Sequence, residues 1–210
     1  MRTVPDHKVF RFEWPVDQSG YDIKERRGDG ATLAGQFKYD EILPRGGPPK
    51  FYRPMDDHAG LWREFADTCV TTEGALAFSH EFGLLAGPRF PLNEVFDLAE
   101  HLRNLMNAMD ASDWHAAASI FSFGPRPRLT ATMKGPNQRG RFEFVIAPLD
   151  LGGALLLQAG QAITGNQEFR RCKNCSTWMR IGDGALTRRR KYCSTRCRVA
   201  WARRSNGEKQ

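Results

Sequence analysis

The sequence predicts an α+β fold, with a predominantly helical body, a β-hairpin and a small C-terminal domain that is rich in cysteine. Three observations lead to this prediction. Apolar residues recur at helical spacing from residue 56 to 123, alternating segments flank a turn within 129–147, and four of the five cysteines lie within 172–197. The predicted domains are therefore a mixed body at 1–165 and a C-terminal domain at 166–210.

The first 55 residues are predicted to form an irregular lobe that packs against the helices. Residues 8–14 alternate aromatic and polar side chains, which is the period of one half-buried strand. Residues 19–55 are rich in glycine, proline and charge, so regular structure there is expected to be short and interrupted. A short strand is expected at 34–37.

Four helices are predicted in the helical part of the body at 56–123. Thr72 begins the second helix, Pro91 begins the third, and Ser112 caps a fourth at 113–121. The apolar stripes are predicted to consist of Leu61, Trp62, Phe65 and Cys69 in the first helix, Leu76, Ala77, His80 and Leu84 in the second, and Val95, Leu98, Ala99, Leu102, Leu105, Met106 and Met109 in the third.

A hairpin and one more helix complete the body at 128–165. The segments 129–134 and 141–147 alternate well, and the turn formers GPNQRG connect them. Pro148 and Asp150 then lead into a helix at 151–164 that contains three glycines. Because each glycine lowers the intrinsic stability of a helix by up to about 1 kcal/mol, this helix is expected to pack closely against a neighbour.

The C-terminal cysteines form two close pairs, Cys172-x2-Cys175 and Cys193-x3-Cys197, with seventeen residues between the pairs. A tight turn supplies two thiolates from the first pair, and the first turn of a helix capped by Ser194 supplies two from the second. Four thiolates suit one tetrahedral Zn²⁺ and leave no open coordination position, which indicates a structural ion. The alternatives are buried thiols or two disulfides, but the spacing and the charged neighbours favour zinc.

The segment between the pairs contains Gly182-Asp183-Gly184, which predicts a turn. We expect a short hairpin of 177–181 with 191–192 around it. A cysteine knuckle, a hairpin and a helix that carries the second pair form the plan of a treble-clef-like zinc finger. The fifth cysteine, Cys69, lies on the apolar face of a helix and is interpreted as a core residue.

Positive charge is concentrated in the C-terminal domain. Residues 166–210 contain 13 Lys and Arg against 3 acidic residues, whereas the first 165 residues contain 18 against 21. A mildly acidic body with one cationic end is typical of proteins that contact polyanions. Alternatively, these cations form a solvated surface or neutralise the thiolates. The candidate nucleic-acid contacts are Arg188, Arg189, Arg190, Lys191, Arg196, Arg203 and Arg204.

Other function classes find little support in the sequence. The longest apolar run, at 151–157, is far shorter than a membrane span, and no export signal is evident at the N-terminus, so a cytoplasmic location is expected. The sequence contains no nucleophile elbow, phosphate loop or metal-hydrolase motif, so an enzyme is not predicted. Exposed ion pairs explain a set of acidic residues better than a catalytic site does, namely Glu64, Asp67, Glu94 and Glu100. Core packing explains a second set better than a small-molecule pocket does, namely Trp62, Phe65, His80, Phe82 and His101.

The motifs at 129–204 resemble those of bacterial CGNR-type zinc-finger proteins. The matching features are the hairpin and helix, RRC at 170–172, Trp178-Met179 and RRRKYCS at 188–194; the helices at 71–109 match more loosely. The CGNR motif itself is not present, because this chain has Cys197-Arg198-Val199-Ala200. The resemblance implies a helical, stress-regulator-like N-terminal domain, a role in transcription regulation, and metal ligation by Cys172, Cys175, Cys193 and Cys197.

The leading hypothesis from the sequence is a DNA-binding transcription regulator. Its zinc finger contacts DNA, and its body senses a ligand or forms a homodimer. The alternative is a zinc-stabilised module that binds RNA or a protein partner, with the helical body as a ligand sensor. DNA is favoured over RNA, and no membrane partner is expected.

Overall fold

The structure is a computed structural model, and it describes residues 12–27, 38–134, 143–182 and 189–207. Within these ranges the chain combines seven helices with small antiparallel sheets, which confirms the predicted mixture of helices and strands. No helix in these ranges has both the length and the apolar character needed to cross a membrane.

The N-terminal lobe is more regular than predicted. Five strands form two small antiparallel sheets there, and the last of these strands lies just before the long helix α4 (Leu92–Asp110). One sheet pairs the first strand with the fourth, and the other has the order second, third, fifth. The strands are β1 (Trp14–Asp17), β2 (Tyr21–Arg27), β3 (Lys38–Pro44), β4 (Pro49–Tyr52) and β5 (Phe90–Pro91). The prediction of an irregular lobe was therefore wrong for the described residues.

The glycine and proline run at 45–49 does not interrupt these sheets, because it forms the connection between β3 and β4. Gly46 adopts a φ of 87° there. The Asp17 carboxylate accepts hydrogen bonds from the backbone N–H groups of Ser19, Gly46 and Gly47 at 2.7–3.0 Å. Residues 8–11 of the strand predicted at 8–14 lie outside the described residues, and so does the strand predicted at 34–37; within the described residues, β1 begins at Trp14.

The described part of the body also contains six helices, and the four predicted at 56–123 are all present. The helices are α1 (Pro54–Asp57), α2 (Leu61–Thr68), α3 (Thr72–Phe82), α4 (Leu92–Asp110), α5 (Trp114–Phe123) and α6 (Leu151–Thr164). Two predicted helix starts were wrong by one residue. Pro91 precedes α4 as its N-cap, and Asp113 rather than Ser112 caps α5, by accepting a hydrogen bond from Ala116 N.

The core confirms the predicted apolar faces of α2 and α4. Every residue of those two stripes is buried. The face predicted for α3 was wrong, because Ala77 and His80 are exposed while Phe78 and Phe82 are buried. Aromatic contacts explain the difference, since Phe78 packs against both Phe65 and Phe82, with ring centroids 5.0 and 4.8 Å apart. The core-packing interpretation of Trp62, Phe65 and Phe82 is confirmed.

The predicted hairpin joins this core through α6. Strand β6 (Leu129–Lys134) pairs with β7 (Glu143–Pro148), and Asp150 caps α6 by accepting a hydrogen bond from Gly153 N at 2.7 Å. Close packing of α6 is also confirmed. A Cβ atom at Gly153 would lie 2.6 Å from Arg128 O, and one at Gly160 would lie 2.9 Å from the Phe121 ring.

After α6 the chain forms the segment that carries the clustered cysteines. It contains β8 (Glu168–Arg171), β9 (Trp178–Ile181) and α7 (Thr195–Gly207). We call the described residues from 166 onward the C-terminal module, and the described residues before them the body.

Candidate metal centre

The first cysteine pair lies in the turn between β8 and β9. Cys172 immediately follows β8, and its backbone N–H donates to Thr177 O at 3.0 Å. Ser176 N donates back to Cys172 O at 2.9 Å, and Ser176 has a φ of 61°. This left-handed residue reverses the chain directly after Cys175, so the knuckle is the loop of a β-hairpin.

This hairpin differs from the predicted one. The partner of β9 is β8, with Glu168 opposite Ile181 and Arg171 opposite Trp178, and not residues 191–192. Residue 191 instead lies against the knuckle, where its carbonyl accepts a hydrogen bond from Lys173 N at 3.0 Å. The alternation of Phe169 with charged residues at 168–171 was the sequence signal for β8.

The second cysteine pair lies at the start of α7, as predicted. Cys193 precedes the helix, and Cys197 lies in its first turn. Ser194 caps this turn, because its Oγ accepts a hydrogen bond from Cys197 N at 3.2 Å. Cys193 N in turn donates to the Cys172 sulfur at 3.4 Å, which joins the second pair to the first.

The four predicted ligands meet at one point. All four sulfur atoms lie within 4.8 Å of one another, and the distances among Cys175, Cys193 and Cys197 are 3.4–3.7 Å. A tetrahedral Zn²⁺ with bonds of about 2.3 Å holds its sulfurs about 3.8 Å apart, whereas a disulfide needs about 2.05 Å. The cluster therefore fits one metal ion, and its cysteines are free thiols.

The surroundings of the cluster favour thiolates at two of its sulfurs. Burial acts to raise the pKa of Cys172, but backbone N–H groups of Cys175, Cys193 and Asn174 outweigh it and lower that pKa to about 6. The hydroxyl of Ser194 lowers the pKa of Cys197. Burial and the neighbouring sulfurs raise the pKa of Cys193 to about 12. A bound cation would displace the proton of this thiol.

Cys69 takes no part in this cluster. It is fully buried in the body, and burial raises the pKa of its thiol. This agrees with its interpretation as a core residue. Four sulfur ligands complete a tetrahedral zinc site, so the geometry suits a structural ion without an open position for a substrate.

Buried and half-buried aromatic contacts attach the module to α2. The Arg63 guanidinium lies over the rings of Trp62, Phe169 and Trp178, at 4.8–4.9 Å from each centroid. Its charge is paired with Asp110, at 2.7 Å. Since Phe169 belongs to β8 and Trp178 to β9, one buried side chain of the body holds both strands of the metal hairpin.

The predicted nucleic-acid residues lie on two exposed surfaces of the module. Those on α7 are Arg196, Arg203 and Arg204, and those on the segment before it are Arg189, Arg190 and Lys191. Arg188 lies outside the described residues. Two of these cations also bond within the module: Arg190 donates to Tyr192 O and Cys193 O, and Arg204 donates to Asn174.

An open cleft of about 480 Å³ lies between the segment at 189–192 and the first two turns of α7. Sequence reasoning missed one of its residues, Arg198. Arg198 lies three residues after Thr195, so the two residues share one face of the helix. Helical periodicity was therefore the sequence signal that could have assigned Arg198 to the cleft. The residues that line the cleft are Arg189, Arg190, Lys191, Tyr192, Ser194, Thr195 and Arg198.

Comparisons of the sequence with protein-family models and with curated proteins found no match.

Proposed function

We propose that the protein is a DNA-binding transcription regulator whose C-terminal module is a treble-clef-like zinc finger. In this proposal one structural Zn²⁺ is held by Cys172, Cys175, Cys193 and Cys197, and the cations of the module contact the DNA backbone. The body senses a ligand or forms a homodimer. The metal supplies folding energy to a segment too small to form its own core, and it has no catalytic role.

The observation that supports nucleic-acid contact is the position of the excess charge. Residues 166–210 carry 13 bases against 3 acids. The described ion pairs of the molecule include only one cation of the module, Arg171, which pairs with Asp67 of the body. The cations next to the cysteines thus remain exposed on one small unit, and neutralising a thiolate cluster with a formal charge of about −2 does not require so many.

A titration of duplex DNA at several salt concentrations tests this proposal. Contacts to about four to six phosphates predict that log affinity falls against log salt with a slope of roughly −4 to −5. Replacing Arg188, Arg189, Arg196 and Arg203 together by Ala is expected to weaken binding and to reduce this slope by about 1 for each replaced cation that contacts a phosphate. Sedimentation of the free protein and of the complex reports whether one or two copies bind.

The control variant removes the same charge from the body. Lys24, Lys50, Arg89 and Arg126 are exposed, and their replacement by Ala leaves the module intact. We expect this variant to bind DNA nearly as well as the wild type. A flat salt response, or equal losses in the two variants, would overturn the proposal.

One observation favours a second candidate function, binding of RNA. Trp201 is 39% exposed, and its ring lies beside that of Tyr192, with centroids 6.4 Å apart. Exposed aromatic rings in a cationic surface stack with unpaired bases. RNA that displaces duplex DNA from the protein at equal nucleotide concentration would favour this candidate over the first.

A further inference from the structure

The cleft before α7 concentrates cations from two separate parts of the module. Arg189, Arg190 and Lys191 come from the segment that enters the helix, and Arg198 comes from the second turn of the helix itself. Four positive side chains in one concave surface raise the local potential more than the same charges spread over a convex one. The cleft is therefore the most favourable position for an anion in the described part of the module.

No carboxylate of the described residues compensates this charge. The described ion pairs all involve other bases, namely Arg26, Lys38, Arg45, Arg53, Arg63, Arg128 and Arg171. Like charges that converge without a counterion repel one another, and an anion in the cleft would relieve this repulsion.

One of the four cations is already fixed in place. The Arg190 guanidinium donates from Nε to Tyr192 O at 2.9 Å, and a second N–H group donates to Cys193 O. A guanidinium has five N–H donors, so these bonds hold the group in place and leave donors for a ligand. Because Cys193 is also a metal ligand in our proposal, metal binding would hold this part of the cleft rigid.

The described cations on the outer surface of α7 lie outside this cleft. Arg196 and Arg203 are both exposed, and neither lines the cleft. A single flexible cation in full contact with solvent contributes little to binding, because water and salt screen its charge.

We propose that this cleft, and not the outer surface of α7, is the phosphate-binding subsite of the module, and that its ligand is a phosphodiester group of a nucleic-acid backbone. Arg189, Arg190, Lys191 and Arg198 contact the phosphate oxygens. The inference rests on the proposed function and assigns its principal contact.

Two single substitutions on α7 distinguish a specific role of the cleft in binding from a general effect of positive charge. Arg198→Gln and Arg203→Gln each remove one positive charge from the same helix, but only the first changes the cleft. For Arg198→Gln we expect duplex affinity to fall about tenfold and the salt slope to decrease by about 1. For Arg203→Gln we expect a change of less than about twofold.

Both variants must retain one metal ion per chain and the melting temperature of the wild type. If Arg198→Gln fails this condition, Arg189→Gln replaces it with the same expected loss. Equal losses in the cleft variant and in Arg203→Gln, in a wild type that binds DNA, would overturn the cleft assignment alone. A wild type that binds no nucleic acid would overturn the proposed function together with it.

A competition experiment distinguishes a phosphate site from a general cationic surface. Inorganic phosphate and chloride are compared at equal ionic strength as competitors of duplex DNA. We expect phosphate to displace DNA from the wild type more effectively than chloride, and this difference to be lost in Arg198→Gln. The same difference in both proteins would contradict the assignment.

Discussion

The indole Nε1 of Trp178 donates a hydrogen bond to Oδ2 of Asp67 at 2.7 Å, and this bond joins the metal hairpin to helix α2 of the body. The same carboxylate oxygen accepts a hydrogen bond from Arg171 at the end of β8. One half-buried acid thus receives donors from both strands of the hairpin. The sequence predicted an ion-pairing role for Asp67, which is confirmed, but at an exposed position, whereas the residue is half-buried.

Replacing Asp67 by Ala is therefore expected to lower the free energy of unfolding by about 1–3 kcal/mol, because it leaves a half-buried indole N–H and a guanidinium without their acceptor. Denaturant unfolding measures this change. Asp97→Ala is the matched control, because Asp97 is exposed on α4 and its loss is expected to change stability by less than about 0.5 kcal/mol. Similar values for the two variants would show that Asp67 does not hold the hairpin.

Replacing Gly60 by Ala and replacing Gly152 by Ala are expected to change the stability of the protein in opposite directions. A Cβ atom at Gly60 would lie 2.7 Å from Trp178 Cβ and 3.0 Å from its carbonyl oxygen, so the hairpin would have to shift. At Gly152 the nearest atom would be 3.6 Å away, in ordinary contact, and alanine favours the helix. We expect Gly60→Ala to destabilise the protein by about 1–3 kcal/mol and Gly152→Ala to stabilise it by about 0.5 kcal/mol, both in thermal unfolding.

Metal removal is expected to divide the five cysteines into two classes. Metal analysis of the purified protein should give one zinc per chain. With the metal bound, a thiol reagent should react slowly with all cysteines; after chelation, the four clustered thiols should react, while Cys69 remains protected because it is fully buried. Zinc well below one per chain, or reaction of Cys69 together with the others, would contradict this expectation.

Acid is expected to destabilise the body through His58. Burial lowers the pKa of this half-buried imidazole, which packs against Phe82 with ring centroids 5.3 Å apart. The unfolded chain, with an ordinary pKa of about 6.5, therefore takes up a proton before the folded protein does. The stabilisation is complete above about pH 6.5 and is lost as the pH falls below that value.

A comparison of variants isolates this effect from protonation of the metal ligands. Between about pH 7 and about pH 5, His58→Gln should lose less unfolding free energy than the wild type, because the substituted side chain does not titrate. His115→Gln, at an exposed position of α5, should follow the wild type. Parallel curves for all three proteins would exclude His58 as a source of the pH dependence.

Local patterns predicted the clustering of the four cysteines and most helices correctly. The spacing of Cys172, Cys175, Cys193 and Cys197 selected the cluster, and the long stripe of α4 selected its buried face, because both signals lie within a short stretch of sequence. The partner of a strand is not a local property. The sequence pattern paired 177–181 with 191–192, whereas in the structure β9 pairs with β8, and the contacts of Trp178 with α2, which no local pattern contains, favour this pairing.

The cationic cleft could not be predicted from local sequence patterns either. Helical periodicity places Arg196 and Arg203 on one face of α7, and both side chains are exposed. Arg198 joins Arg189 and Lys191 only because the segment before α7 and the start of the helix line the same cleft. This arrangement depends on the fold of the whole module. Similarly, the glycine and proline run at 45–49 indicated irregular structure, although it connects two regular strands.

The contact between Arg204 and Asn174 limits how α7 can move. Arg204 lies near the end of the helix and donates to the side chain and backbone of Asn174 in the cysteine knuckle, while Cys197 anchors the first helical turn beside the same knuckle. A helix held at two points cannot rotate about its own axis. The exposed cations of the helix are therefore preorganised, so that in the proposed function a partner molecule would lose little conformational entropy by ordering them, and complementary shape would contribute directly to affinity.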